Sequence, residues 1–196
     1  FVAQASGARL GYLPEAANSA GGWLAGATPH RLAGGKPAPQ AGLDARAMVE
    51  APRKAYVLVG VEPELDCWNG AAALNAVQAA EFVVALSSYA SAASKRYARV
   101  LLPVATFAET SGTYVNAEGR WQSFQGAVKP FGDARPAWKV LRVLGNLCGV
   151  AGFEYVSSEE VLAEVQGACG EVKPDNAVDF GQPLTPFRAN GLLRVA

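Results

Sequence analysis

Three short apolar runs separated by helical stretches constrain the fold of this chain most. The runs are Ala55–Gly60, Phe82–Leu86 and Val100–Leu102, and each is continuous in apolar residues instead of alternating. Such runs are typical of strands that are buried on both faces of a parallel sheet. The segments between them, Gly70–Ala80 and Ser91–Tyr97, have helical character. We therefore predict an α/β fold in which parallel strands are joined by helical crossovers.

The amino-terminal part of the chain differs from this α/β core, which we assign to residues 53–104. Residues 1–52 are rich in Gly and Pro, so we expect them to be irregular, apart from a short helix near Leu43–Val49.

For the remainder of the chain, residues 105–196, the sequence predicts a loop or hairpin followed by carboxy-terminal helices. β-prone runs lie on both sides of the turn Asn116–Gly119, which favours a hairpin or an irregular loop over 112–126. Helices are expected over Ala134–Gly149 and Ser157–Ala168, the second with a Ser157-x-x-Glu160 capping box. From Lys173 onward we expect a surface tail.

Composition excludes several classes of function. The chain has 17 Lys and Arg against 17 Asp and Glu, which argues against a nucleic-acid partner. Its three Cys and one His, His30, are too few for a structural zinc or an iron–sulfur cluster. No apolar run reaches about 18 residues, so we expect no insertion into a membrane. Because the chain begins at Phe1 without a leader, we expect a soluble fragment or processed product.

Few side chains suggest catalysis. Glu109 and Glu118 flank the presumed turn and could pair as acid and base, but solvated or capping carboxylates are the commoner case. Cys67 lies beside Asp66 and Glu64, and such neighbours disfavour a reactive thiolate.

A ligand site is conceivable where the first strand ends. Gly60, Glu62 and Pro63 follow that strand, and ligands of open α/β sheets bind at the carboxyl ends of the strands. The alternative is a plain strand-to-helix turn, which we favour.

Spaced motifs after the third strand resemble a known signature. Glu109-Thr-Ser-Gly-Thr113 and Asn116-Ala-Glu-Gly-Arg-Trp-Gln122, preceded by Tyr97–Pro103, resemble a signature of the molybdopterin oxidoreductase superfamily. The stretches Leu10–Gly26 and Trp121–Gly145 look like the G-subunit family of bacterial NADH:quinone oxidoreductase, respiratory complex I. The resemblance covers most of residues 1–150 and identifies the whole chain, 1–196, as a fragment of a molybdopterin-oxidoreductase-like domain.

This resemblance implies a context of electron transfer from NADH to quinone. It implies partners, namely the rest of the parent subunit and other peripheral-arm subunits, on the cytoplasmic side of the bacterial inner membrane. Iron–sulfur clusters would lie in the amino-terminal part of the parent subunit, outside this chain. The segment itself would have a scaffold role, with no catalytic residue, metal or cofactor of its own.

In relatives that bind the pterin, loops at the strand ends hold the nucleotide part of the cofactor. The matching positions here are Gly60, Glu62, Pro63, Ser87 and Ser88. Glu62 stands where relatives often carry Asn, and Ser88 where they carry Asp. Because a carboxylate repels a pyrophosphate, the resemblance implies a vestigial site without bound molybdopterin. Arg99 also replaces the usual Asp of the A-D-x-x-L-P segment.

The later motif is expected to be structural. Gly112 and Gly119 would supply positive φ at turns, and Arg120 would pair with Glu109 or Glu118. The motif residues are Glu109, Gly112, Thr113, Asn116, Glu118, Gly119, Arg120 and Gln122.

Two other functions remain open. One is a fragment of a true molybdopterin-dependent oxidoreductase, similar to a formate dehydrogenase. The other is an independent α/β module that binds a small ligand.

Overall fold

A computed structural model describes residues 2–8, 14 and 16–170 of the chain. The tail expected from Lys173 onward lies outside the described residues, as does part of the Leu10–Gly26 stretch. The described helices are α1 (Val2–Ser6), α2 (Ser19–Leu24), α3 (Ala45–Glu50), α4 (Pro63–Asp66), α5 (Gly70–Ala79), α6 (Ser94–Tyr97), α7 (Ala137–Leu147) and α8 (Ser158–Cys169). The strands are β1 (Ala55–Val59), β2 (Phe82–Ser87), β3 (Val100–Pro103), β4 (Gly112–Val115) and β5 (Trp121–Phe124), and short 3₁₀ turns cover Ala33–Gly35 and Phe107–Glu109.

The predicted parallel sheet is confirmed. Its order is β1-β2-β3, and both neighbouring pairs are parallel. The register pairs Val59 with Leu86 and Leu86 with Leu102. Because α5 and α6 connect successive strands, the core is an α/β layer structure.

Helix α5 covers one face of this sheet. Asn69 caps it, since its Oδ1 accepts a hydrogen bond from the Ala72 N–H at 3.1 Å. Val77 joins Val83 and Tyr97 in the buried cluster, and Leu74 packs against it. The predicted helix is thus confirmed, and Leu74 and Val77 lie on its inner face.

Strand β1 corrects the expectation of a strand buried on both faces. Tyr56 and Leu58 pack against the buried cluster, but Val57 is 57% and Val59 39% exposed. The register places Phe82, 47% exposed, opposite Ala55 and therefore on the same side of the sheet as Val57 and Val59. Among the described residues, only one face of β1 is well covered.

The predicted hairpin is also confirmed. Strands β4 and β5 are antiparallel, and Val115 pairs with Trp121. Asn18 joins the hairpin to the amino-terminal segment, because its Oδ1 accepts from the Val115 N–H at 2.8 Å.

The amino-terminal segment contains more helix than expected, and the carboxy-terminal segment contains the helices that were expected. Within residues 1–52, α1 and α2 form where we expected irregular chain, and α3 coincides with the predicted short helix. Helices α7 and α8 confirm the carboxy-terminal pair. In α8, Ser157 Oγ accepts from the Glu160 N–H at 3.2 Å, but the Glu160 carboxylate accepts from Val156, so the box is shifted by one residue. No helix in the described part of the chain has the length and hydropathy that crossing a membrane requires.

Candidate functional site

The ends of β1 and β2 form the first candidate site. Because Val59 pairs with Leu86, Gly60 and Ser87 follow at the same edge of the sheet. The Gly60 N–H donates to the Leu86 carbonyl at 2.8 Å, and Gly60 has a φ of +61°. The structure therefore brings together the two loops that the sequence indicated.

The hydroxyl groups of this edge are already engaged, that of Ser87 within its own loop and that of Ser88 with the segment after β3. Ser87 Oγ donates to the Tyr89 carbonyl at 2.8 Å and accepts from the Tyr89 N–H at 3.2 Å. Ser88 Oγ donates to the Ala105 carbonyl at 3.4 Å. An anionic ligand could use these donors only by displacing the existing bonds.

The other half of the edge is acidic. Pro63 begins α4 and is buried, while the Glu62 N–H donates to Asp66 Oδ2 at 2.7 Å, which closes the turn. In the described part of the chain, no Lys or Arg forms an ion pair with Glu62, Glu64 or Asp66.

These carboxylates help to raise the pKa of two neighbouring side chains. Burial, together with Glu64, Glu62 and Asp66, raises the pKa of Tyr97 to about 12. Burial, Asp66 and Glu64 also raise the pKa of Cys67. Cys67 therefore remains a thiol at neutral pH, as its neighbours in the sequence indicated.

The edge does not fit the pyrophosphate of a nucleotide cofactor. Such a group needs cationic or N–H donors, whereas the segment that follows β1 carries Glu62, Glu64 and Asp66, and the hydroxyls beside it are already bonded. No group of three or more His, Cys, Asp or Glu that could hold a metal ion occurs among the described residues.

The later motif organises the turn between β4 and β5. Asn116 Oδ1 accepts from the Glu118 N–H at 3.0 Å and from the Arg120 N–H at 2.9 Å. Gly119 has a φ of +76°, which a residue with a side chain rarely adopts. Asn116 and Gly119 thus define the turn.

Glu109 organises the chain before and after the hairpin. Its carboxylate accepts from the Thr106 N–H at 2.9 Å, from Thr106 Oγ1 at 3.1 Å and from the Phe131 N–H at 3.0 Å. The bond from the Thr106 backbone is the largest cause that lowers the pKa of Glu109. A carboxylate held ionised in this way is a poor general acid.

One expectation about this motif is wrong, and another is met by one of its two alternatives. Gly112 lies in β4 without positive φ; it is glycine because a Cβ there would lie 2.8 Å from the Phe124 ring. Arg120 pairs with Glu118, one of the two expected partners, since its Nη2 lies 3.9 Å from Glu118 Oε2 in an exposed pair. Such a pair contributes little, since surface ion pairs typically add about 0–1 kcal/mol.

The remaining motif residues lie on the strands. Thr113 Oγ1 and Ser123 Oγ are 2.9 Å apart across the hairpin, and Gln122 is exposed opposite Tyr114. Glu118 lies at the exposed turn, while Glu109 is engaged with Thr106, so the two glutamates have separate structural roles.

Sequence reasoning missed two residues that hold the motif in place. Thr106 forms a capping box with Glu109, and the pattern T-x-x-E was visible in the sequence. Asn18 contacts β4 from 97 positions away, and no local pattern indicates such a contact.

Known proteins share much of this sequence. Residues 4–147 match the molybdopterin oxidoreductase family. The chain is 38% identical over 149 residues to the G subunit of the NADH-quinone oxidoreductase of Streptomyces coelicolor, covering 64% of this chain and 17% of that protein. It is 33% identical over 151 residues to the corresponding G subunit of Mycobacterium bovis, covering 65% of this chain and 18% of that protein. A putative formate dehydrogenase of Staphylococcus aureus is 32% identical over 135 residues, covering 65% and 13%.

The match therefore spans less than a fifth of each of these curated relatives. Because the family match covers well over half of this chain, from the amino-terminal helices through the sheet and hairpin to the end of α7, the chain belongs to the molybdopterin oxidoreductase family.

Proposed function

We propose that this chain is part of a G subunit of NADH:quinone oxidoreductase and acts there as a scaffold that binds no molybdopterin. The observation that carries the proposal is the acidic edge of the sheet. Glu62, Glu64 and Asp66 lie there without a cationic partner in the described chain, and the hydroxyls of Ser87 and Ser88 already donate to the carbonyls of Tyr89 and Ala105.

The motif after the sheet supports the same role. The side-chain oxygens of Asn116 and Glu109 accept hydrogen bonds from backbone N–H groups, which stabilises the hairpin and the loops around it. Side chains bonded in this way hold the backbone in place and are not free to act in catalysis. Under this proposal the segment has no activity of its own.

The complex supplies the remaining partners under this proposal. The rest of the subunit carries the iron–sulfur clusters, neighbouring peripheral-arm subunits contact it, and electrons pass from NADH to quinone. The assembly lies on the cytoplasmic side of the bacterial inner membrane. The likeness to two G subunits, at 38% and 33% identity, supports this assignment.

Purification of the tagged full-length protein from its own bacterium tests the assignment. We expect it to co-purify with an NADH-oxidising, quinone-reducing activity and to contain far less than one molybdenum atom per chain. Stoichiometric molybdenum with the fluorescence of oxidised pterin, together with formate oxidation, would instead assign it to the formate-dehydrogenase-like enzymes.

A binding assay tests the physical reason directly. Inorganic pyrophosphate titrated into this chain should show no saturable binding up to millimolar concentration. The double variant Glu62→Gln with Glu64→Gln removes two charges, and Glu81→Gln, which alters an exposed glutamate beside Lys54, is the matched control. Tight binding of pyrophosphate by the unaltered chain would refute the vestigial site.

A further inference from the structure

Strand β1 combines an uncovered apolar face with a free edge. Val57, Val59 and Phe82 are 57%, 39% and 47% exposed on one side of the sheet. On the opposite side, Tyr56 and Leu58 pack against the buried cluster. Parallel sheets occur almost only with both faces covered, so this side of β1 is incomplete.

The free edge can be specified residue by residue. Among the described residues, β2 is the only strand that pairs with β1. The Gly60 N–H points to β2, since it donates to Leu86. Because peptide groups alternate along a strand, the N–H groups of Tyr56 and Leu58 also point to β2, whereas those of Val57 and Val59 point to the free edge. An apolar edge of this kind is a template for another strand.

We propose that a strand of the longer polypeptide, outside these 196 residues, pairs with the free edge of β1, and that the chain connected to it covers Val57, Val59 and Phe82. This inference rests on the proposed function, in which the chain is part of a longer subunit. The matched segment is 17% of the Streptomyces coelicolor relative, so most of that relative's chain lies outside the match.

The exposed area argues against a second copy as the occupant. The three side chains together expose on the order of 250 Å², about a third of the ~800 Å² that each partner buries in a stable interface. A two-fold contact would also pair the two β1 strands antiparallel over only five residues. A strand in the same polypeptide avoids most of the translational and rotational cost of association, so a small contact suffices.

Residue-resolved hydrogen exchange on the full-length subunit, purified without its partners, tests the proposal. We expect the amides of Val57 and Val59 to exchange at least 100-fold more slowly than in the 196-residue chain. The amides of Tyr56 and Leu58 are the matched controls, because they face β2 and should be slow in both proteins. If the amides of Tyr56 and Leu58 exchange fast in the 196-residue chain, the comparison between the two proteins does not apply. The proposal is then judged from the protection of Val57 and Val59 in the full-length subunit alone.

Hydroxyl-radical footprinting measures how far the apolar face of β1 and β2 is covered, independently of strand pairing at the free edge of β1. Phe82 should be modified at least fivefold more slowly in the full-length subunit than in the 196-residue chain. Phe131, which is far more exposed, provides a residue of the same type as an internal reference.

Four results would overturn the proposal. Val57 and Val59 could stay unprotected in the full-length subunit, or gain protection only in the assembled complex, which would indicate another subunit. Protection that rises with protein concentration would indicate a second copy. Protection already present in the 196-residue chain would place the cover within this chain.

Protection that persists in a subunit that fails to join an NADH dehydrogenase would contradict the proposed function but uphold this inference.

Discussion

The parallel sheet and the hairpin are stabilised by different physics. The sheet depends on apolar burial, with Val77, Val83 and Leu86 almost fully excluded from water. The hairpin depends on side-chain oxygens that accept from backbone N–H groups, chiefly those of Asn116 and Glu109. Burial requires partners from distant parts of the chain, whereas the turn at Asn116 is closed by hydrogen bonds to near neighbours. Glu109 and Asn18 then join the hairpin to segments 22 and 97 positions away. The sheet therefore has an uncovered face at β1, whereas the polar groups that hold the hairpin find their partners within the described chain.

The largest expected effect tests burial in the sheet. Leu86→Ala should lower the free energy of unfolding by about 3 kcal/mol, because it leaves a cavity where a side chain is 1% exposed. Leu65→Ala is the control, since Leu65 is 65% exposed and should change stability by less than about 0.5 kcal/mol. Urea unfolding of both variants measures the difference, and equal losses would contradict the comparison.

The hairpin should respond to a polar deletion. Asn116→Ala removes the acceptor of two backbone N–H groups and should cost about 1–2 kcal/mol. Asn75→Ala on the exposed side of α5 should be neutral within about 0.5 kcal/mol. Thermal unfolding compares the two, and a neutral Asn116→Ala would show that the turn does not depend on its side chain.

A polar deletion in the buried cluster beneath the sheet should have the opposite sign. Tyr97 is 6% exposed, and its buried hydroxyl has no hydrogen-bond partner among the described residues. Tyr97→Phe should therefore leave stability unchanged or raise it by up to about 1 kcal/mol.

The same variant should flatten the alkaline limb of stability. The folded pKa of Tyr97 lies above its unfolded value, so its contribution is complete below the unfolded pKa, near 10, and is lost as the pH rises through about 12. Unfolding from pH 9 to 12 measures this slope. Tyr89→Phe, at an exposed position, is the control, and a clear loss of stability in Tyr97→Phe would contradict the unpartnered hydroxyl.

The smallest effect is expected at Glu109 and concerns acid pH. Its folded pKa lies below the ordinary range, so its contribution is complete above the unfolded pKa and is lost as the pH falls through the folded pKa. Glu109→Gln should therefore make stability less dependent on pH below about 4.3. Glu118→Gln, which alters an exposed pair, is the control. Parallel acid limbs for Glu109→Gln and the unaltered chain would refute this role.

Much of the fold was predictable because its signals are local. The apolar runs at β1, β2 and β3 identified the strands, and Ser157 marked the start of a carboxy-terminal helix. The turn at Asn116–Gly119 was visible for the same reason, since it is closed by hydrogen bonds between near neighbours.

The candidate site was predictable in place but not in detail. The alternation of strands and helices was enough to bring Gly60 and Ser87 to one edge. The pairing of Ser88 with Ala105 and the close approach of Phe124 to Gly112 depend on tertiary packing, so the sequence could not indicate them. This is why the glycine at 112 was assigned the wrong cause.

The sequence by itself determined the parallel α/β core, the hairpin and the family resemblance, because these follow from periodicity, turn chemistry and spaced motifs. Only the tertiary structure decided which face of β1 is covered. A continuous apolar run predicts burial on both sides, but burial depends on what packs against the strand, and only one side meets α5 and α6 in the described chain. Contacts such as that of Asn18 with Val115 are decided at the same level, since they join residues that are far apart in the chain.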